Sequence, residues 1–351
     1  MRAKLLFVSS SVGLGHVTRD YRLSRELARW ADVTWLTAGA AARYLESRGE
    51  RLHPLSRELR SIGESLMRII RGCKVKVGPL SAYAVYRDLR HNADLIRDHL
   101  DLEEYDVVVG DEPWELIMSG LRHDRAALIT DFEAFEASGR LSRLAASRVN
   151  SWLRGRYLTF ALRYNVGLWG AAGPGFRRPG NLFTHGGSYP EPEDGDAVVV
   201  NIGGTDAASE LAARIAEALR GAGEEAEVIG STKGFTSDPL GAIARARVVV
   251  TLAGYGSLVE VAAMRKRAVI LEIDGHFEHG ENAKLFAGRR GYRALRCGEA
   301  TPDRVLRAVG EVEREEPEPP RVTDAARAMA SEIRDLAERG LSKDPGSTKE
   351  F

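Results

Sequence analysis

The sequence predicts an α/β protein built from two doubly wound, Rossmann-like domains that face a cleft. Three observations lead there. Apolar runs of strand length alternate with amphipathic segments along the chain, the pattern of a parallel sheet covered by helices on both faces. A Pro/Gly/acid stretch, GSYPEPEDGD, interrupts the alternation near residue 190, after which it starts again. The chain has 351 residues, more than one hydrophobic core usually holds. We therefore expect a first domain over residues 1–188, a second over 189–322, and a C-terminal helix with a polar tail over 323–351, the helix packing back on the first domain.

The elements follow in order. KLLFVSS (4–10) is a continuous apolar run and reads as a buried strand; TRDYRLSRELARW then turns Tyr21, Leu23, Leu27 and Trp30 toward one helical face. DVTWLTA is a strand and AAARYLES a helix. After a helical middle come the strands DVVVGDE (106–112) and AALITDF (126–132), separated by a helix. The second half repeats the pattern with strand DAVVVNIGG, helix ASELAARIAEALRGAG, strands EAEVIG and ARVVVTLAG, helix SLVEVAAMRK, strand AVILEI and helix ENAKLFAGRRG, closed by Gly291. REEPEPPR breaks the chain before a last helix, AARAMASEIRDLAERG.

Composition narrows the function. Fifty basic and fifty acidic residues cancel, which argues against a general nucleic-acid binder. Cys73 and Cys297 are the only cysteines, too few for a disulfide framework, and they point to a reducing compartment. MRAKLLFVSSS runs into a strand, not a cleavage site, and no segment approaches the roughly 18 apolar residues of a membrane span. A soluble cytoplasmic protein is expected. Glutamine is absent and arginine far outnumbers lysine; the loss of thermolabile amides suits a thermophile. Between Glu136 and Glu191 there is no acidic residue, whereas Arg140, Arg143, Arg148, Arg154, Arg156, Arg163, Arg177 and Arg178 fall there among apolar residues at helical spacing. RSIGESLMRIIRGCKVKV is a second basic amphipathic stretch. Such segments suit an anionic membrane surface, a phosphorylated partner, or a solvated helix face. No aromatic stacking motif supports RNA.

FVSSSVGLGHVTRD (7–20) sets a histidine in a glycine turn after the first strand. A dinucleotide fingerprint fails there, because Thr18 stands where its last glycine belongs and the next strand ends Leu36-Thr37-Ala38 without an acid for ribose. What remains is a tight turn, made by Gly13 and Gly15, that brings backbone and His16 close to a ligand. Asp111 and Asp131 end later strands, so an imidazole and two carboxylates can converge. His16 is suited to removing a hydroxyl proton, with Asp111, whose strand more often neighbours the first, or Asp131 orienting the ring. The alternative is that all three merely cap helices.

In the second half Gly254 and Gly256 end a strand and Ser257 begins a helix whose free amides can take a phosphate. Glu260, one turn on, can accept both hydroxyls of a ribose. Glu278, His279 and Asn282 open the next helix toward the same cleft, and Asn201-Ile202-Gly203-Gly204-Thr205-Asp206 forms a third turn. Jointly the three turns describe a nucleoside-diphosphate site. His276, His279, Glu278 and Glu281 have ligand-like spacing without a third ligand group, so no metal is expected.

GLGHVTR, NIGGTD and residues 253–283 carry a resemblance that extends over nearly the whole chain. The sequence resembles glycosyltransferases of the two-Rossmann-domain (GT-B) type, nearest to the family 28 group that includes the peptidoglycan lipid-intermediate N-acetylglucosaminyltransferase and related archaeal proteins. The resemblance implies that Gly13, Gly15, His16 and Arg19 face the acceptor, and that Glu260 holds the ribose of a UDP-sugar. The helix after the following strand usually carries glutamine in that family. Glu278 and His279 stand there instead, which leaves the identity of the sugar open. The resemblance further implies inversion at the anomeric carbon without a metal or other cofactor, UDP-GlcNAc as one candidate donor, and a hydroxyl acceptor that is lipid-linked, at the inner face of the membrane. Helix ends at Ser257 and near Thr205 would stabilise the departing diphosphate. Asp194-Gly195-Asp196 matches the DxD of metal-using glycosyltransferases but sits in the acidic linker. Hydrolysis or epimerisation of the nucleotide sugar is the rival within the fold, and a non-catalytic nucleotide-sugar-binding subunit the rival outside catalysis.

Overall fold

The computed structural model describes residues 2–134, 140–193, 195–204, 206–230 and 236–341, with backbone alone at Arg71, 140–145, Phe277 and 340–341. The chain begins β1 (Ala3–Ser9), α1 (Gly15–Leu27), β2 (Ala31–Leu36), α2 (Gly39–Glu46), α3 (Ile62–Met67), the two-residue strands β3 (Ile70–Arg71) and β4 (Lys74–Val75), α4 (Pro79–His99), β5 (Val107–Asp111), α5 (Trp114–Ser119), β6 (Ala126–Thr130), α6 (Arg140–Tyr157) and β7 (Leu162–Asn165). It continues β8 (Val198–Asn201), α7 (Ser209–Gly221), β9 (Ala226–Ile229), α8 (Pro239–Arg245), β10 (Val248–Leu252), α9 (Tyr255–Ala263), β11 (Ala268–Glu272), α10 (Phe277–Phe286), β12 (Tyr292–Arg296), α11 (Pro302–Glu313) and α12 (Ala326–Leu341).

Two five-stranded parallel sheets result, in the orders β2-β1-β5-β6-β7 and β12-β11-β10-β8-β9. Every residue of β5, β6 and β10 is buried, as a sheet covered on both faces demands. The order in which strands are added reverses once in each sheet, between β1 and β5 in the first and between β8 and β10 in the second. In open α/β sheets those reversals leave a crevice at the strands' carboxyl ends. Ser9 pairs with Asp111 at one, and Asn201 with Thr251 at the other, so the predicted site residues fall on both.

The last helix crosses back. Ala326, Met329 and Ile333 of α12 are buried in the first-domain core beside Leu23 and Leu27 of α1. Arg22 Nε donates to Asp324 at 2.9 Å ahead of α12.

Two expectations need correction. RSIGESLMRIIRGCKVKV is not one amphipathic helix: α3 ends at Met67, and Gly72 and Cys73, at φ 56° and 60°, fold the rest into the β3–β4 hairpin. Ile70 and Val75 of that hairpin pack on the second-domain core, not outward. The Val75 amide donates to Asp274 O at 2.8 Å and the Asp274 amide to Cys73 O at 3.1 Å. The cysteines, expected to be reduced, form a disulfide between the hairpin and the end of β12, with Cα atoms 5.8 Å apart. Their separation of 224 residues hides this proximity from sequence. Four elements were also not read: the edge strands β7 and β12, which carry arginines, and the helices α8 and α11, although α11 buries Val305, Ala308, Val309 and Val312 at helical spacing. Both of these helices start with proline after a capping Asp238 or Thr301.

Candidate active site

The two predicted strand-end turns meet. Gly13, at φ 65°, lies so close to the second domain that a Cβ there would stand 3.3 Å from Gly204 O, and one on Gly204 would fall 2.3 Å from Leu14 Cβ. Only glycine permits this approach of GLGH to NIGG. Gly15 faces open space.

Behind the first turn lies a buried ionic cluster. Asp111, at the end of β5, accepts from Arg19 Nε at 2.7 Å and Nη2 at 2.6 Å, and its Oδ2 stands 3.2 Å from His16 Nδ1. Arg19 Nη1 donates to Asp131, and Nη2 also lies 3.1 Å from His16 Nδ1. Thus Asp111 meets the ring, while Asp131 is held by Arg19. Arg19 itself is not an exposed acceptor contact: it is 1% exposed, with its guanidinium 4.8 Å from the ring centre of Tyr255 in the second domain. A buried cation needs such pairing, because burial alone would cost several kcal/mol. Arg19 and His16 hold the Asp111 carboxyl well below the usual range despite its burial. Burial pulls the His16 ring down, but Asp111 and Glu112 outweigh it and carry it up to about 9.

Glu112 was not anticipated. It is buried, its Oε2 lies 3.7 Å from His16 Nε2, and its backbone sits at φ 41°. A left-handed residue other than glycine costs on the order of 1–3 kcal/mol and recurs at functional sites. Its only sequence signal is an acid next to the strand-ending Asp111; the sign of φ is invisible there.

In the second domain Asn201, at the end of β8, donates from Nδ2 to Ser257 Oγ at 3.3 Å and accepts from the Gly203 amide at 2.8 Å, tying the β8 turn to α9. Gly203 turns at φ 65°. Gly254 begins α9 with no side-chain cap, so the first helical amides are available to an anion. Asn282 Nδ2 bonds Ala253 O at 3.0 Å and Glu278 Oε1 at 3.3 Å, which brings α10 to the same strand end. Burial, then Asp131 and Glu112, push Glu278 up to about 7, while burial and then His276 push the His279 ring well below its usual range. His276 caps α10, accepting from the His279 amide. Thr205 and Asp194 lie outside the described residues. Gly195 packs on Arg245 O.

Glu260 is buried on α9, and the connecting segment reaches it: Thr184 Oγ1 donates to Oε1 at 2.7 Å and His185 Nε2 stands 3.7 Å away. Burial pushes its carboxyl up to about 7. Thr184 and His185 were missed because nothing in an interdomain connection announces which helix it will cross.

Among the described residues no helix is long and apolar enough to cross a membrane. Leu80, Tyr83 and Tyr86 on α4 and Val149 and Trp152 on α6 are exposed.

Residues 198–339 match the glycosyltransferase family 28 C-terminal domain. No curated protein matches the sequence. Among solved structures, the chain is similar to SnogD, a glycosyltransferase from Streptomyces nogalater (TM-score 0.57, 16% identity, 96% of this chain and 100% of that one). It is similar to MurG of Acinetobacter baumannii (TM-score 0.51, 14% identity, 95% and 99%). It is also similar to the glycosyltransferase SsfS6 of Streptomyces sp. SF2575, solved with thymidine diphosphate (TM-score 0.56, 14% identity, 96% of each). The chain therefore carries a glycosyltransferase family 28 C-terminal domain within a GT-B fold, and is a glycosyltransferase.

Proposed function

We propose that the protein transfers a sugar, with inversion at the anomeric carbon, from a UDP-sugar to a hydroxyl of a lipid-linked acceptor. The observation that carries this reading is the meeting of the GLGH and NIGG turns at the reversal points of two sheets, so that donor and acceptor open on one cleft. The uncapped amides of α9 at Gly256 and Ser257, with Gly203 and Gly204 opposite, would take the diphosphate. Glu260 would take the ribose, and Glu278, His279 and Asn282 the sugar. The positive helix end would stabilise the departing diphosphate as charge develops on it, a preorganised interaction that needs no reorganisation at the moment of reaction. The acceptor hydroxyl would enter beside Gly15 and lose its proton to the cluster of His16, Asp111 and Glu112, with Asp131 fixed behind it by Arg19. The diphosphate in the SsfS6 structure supports a nucleoside-diphosphate carrier. The resemblance to N-acetylglucosaminyltransferases supports UDP-GlcNAc. The exposed apolar residues of α4 and α6, with Arg148 and Arg154 alongside, support a peripheral site on an anionic membrane, where a lipid-linked acceptor would be met.

The test is product analysis with UDP-GlcNAc and other UDP-sugars, with and without a polyprenyl-linked hydroxyl acceptor. UDP release that requires the acceptor, with a product of inverted configuration, is expected. Stoichiometric free sugar without acceptor would make the protein a hydrolase, and an interconverted sugar an epimerase. Binding without turnover of any pair would leave a nucleotide-sugar-binding subunit.

A further inference from the structure

Within the first-domain cluster the carboxylates are not equivalent. Asp111 and Asp131 each pair with Arg19. Among the described residues, Glu112 has no arginine or lysine within ion-pair distance. Its Oε1 is anchored by Thr130 Oγ1 at 3.3 Å and the Asp131 amide at 3.4 Å, which leaves Oε2 turned to His16 Nε2 at 3.7 Å. We propose that Glu112 Oε2 is the atom that receives the acceptor's proton, and that His16 is the cation that positions it. The inference rests on reading this cluster as the place where the acceptor is deprotonated.

Both nitrogens of His16 face carboxylates, Nδ1 toward Asp111 and Nε2 toward Glu112, and these outweigh Arg19, whose Nη2 stands 3.1 Å from Nδ1 and opposes a proton there. A ring flanked in this way, and carried up to about 9, has no free lone pair near neutral pH. Glu112 has one. Its side chain is kept at a left-handed backbone position that glycine would occupy without strain, an arrangement expected where the carboxylate itself is used. The groups facing it are His16 and Arg19 from α1, Asp111 beside it, Asp131 beyond β6, Glu278 of α10 and Tyr157 of α6. Burial raises the Glu112 carboxyl to about 7, the two aspartates adding to the rise and His16 and Arg19 opposing it. That makes it a stronger base than an ordinary carboxylate while still ionised above neutrality.

In the step, the acceptor O–H proton passes to Oε2. The acceptor oxygen forms the bond to the anomeric carbon, and the bond from that carbon to the diphosphate oxygen breaks, its electron pair leaving with UDP. Protonated Glu112 then releases its proton to water.

The experiment is the pH dependence of kcat/KM for the acceptor at saturating UDP-sugar, so that the titration of Glu260 in the donor site does not enter, measured on the parent, Glu112→Gln and His16→Asn, with UDP affinity and melting temperature as controls. The parent should lose activity as pH falls through about 7, where Glu112 protonates. Glu112→Gln should lose roughly 100-fold or more in turnover, the usual contribution of positioned proton transfer, and show no acid limb. Its UDP affinity and melting temperature should match the parent. His16→Asn should keep the limb, displaced to higher pH, because the cation that opposes the rise in Glu112 is gone. Glu112→Asp, which retains a carboxylate, should keep a limb at reduced turnover even if the glutamine variant fails to fold. A folded Glu112→Asp without a limb would overturn the proposal. So would a Glu112→Gln enzyme with parental turnover while His16→Asn abolishes the limb, since His16 would then be the base and the cluster's role would stand. Parental turnover in both variants would overturn the role of the cluster as well.

Discussion

Glu260 accepts from Thr184 in a buried setting and sits near the balance between acid and carboxylate at neutral pH. Only the carboxylate offers acceptors to both ribose hydroxyls. UDP affinity should therefore strengthen as pH rises through about 7, where this raised carboxyl ionises. Glu260→Gln should lose that dependence and bind UDP roughly tenfold more weakly, a cost of about 1–3 kcal/mol for leaving buried polar groups unpaired. Calorimetry on both sides of neutrality checks this, and a flat parental profile with unchanged affinity in the variant would remove Glu260 from the donor site. His16, Asp111 and the glycine turns were legible because a parallel sheet puts its chemistry at strand ends, and the ends can be read from apolar runs. Glu112 was not, because the left-handed turn that aims it leaves no trace in residue type. The inward course of Arg19 was equally hidden: a helix shows spacing, but only the fold shows that two aspartates wait beneath it.

At the level of elements, the acid-free stretch separates into parts with different duties. Leu153 and Tyr157 of α6 and Phe160 after it enter the first-domain core, whereas Val149, Trp152, Arg148 and Arg154 are exposed. Arg163, Arg177 and Arg178 are spent on local carbonyls and Glu332. The membrane reading thus narrows to α6 and to the start of α4, where Leu80, Tyr83 and Tyr86 recur at helical spacing. Each basic residue at an anionic surface contributes about 1 kcal/mol, screened by salt. Replacing Arg148, Arg154 and Arg156 with serine, or Leu80, Tyr83 and Tyr86 with serine, should reduce sedimentation with phosphatidylglycerol vesicles at low salt. Sedimentation equal to the parent in both triple variants, or none by any, would return these faces to plain solvated surface. Strong apolar runs made fourteen strands and helices readable in order; short elements with a charged face, such as β7 and β12, carried too little periodicity against their surroundings.

For the whole molecule, the disulfide between the β3–β4 hairpin and the end of β12 joins parts of the chain that the two-sheet architecture would keep apart. Closing a loop of 224 residues removes denatured-state entropy on the order of 5 kcal/mol in the chain-entropy account. Reduction, or Cys73→Ser with Cys297→Ser, should lower the melting temperature by several degrees; an unchanged transition would mean the bond contributes no net stability. The same bond changes what a cut does. Linker residues 189–193 are mostly exposed, the kind of site where a protease acts first. Because this linker lies inside the sulfur-closed circuit, a single cleavage there would open a ring without dividing it. The nicked protein should migrate as one species without thiols and as two fragments after reduction, so the covalent integrity of the molecule would no longer depend on its peptide backbone alone.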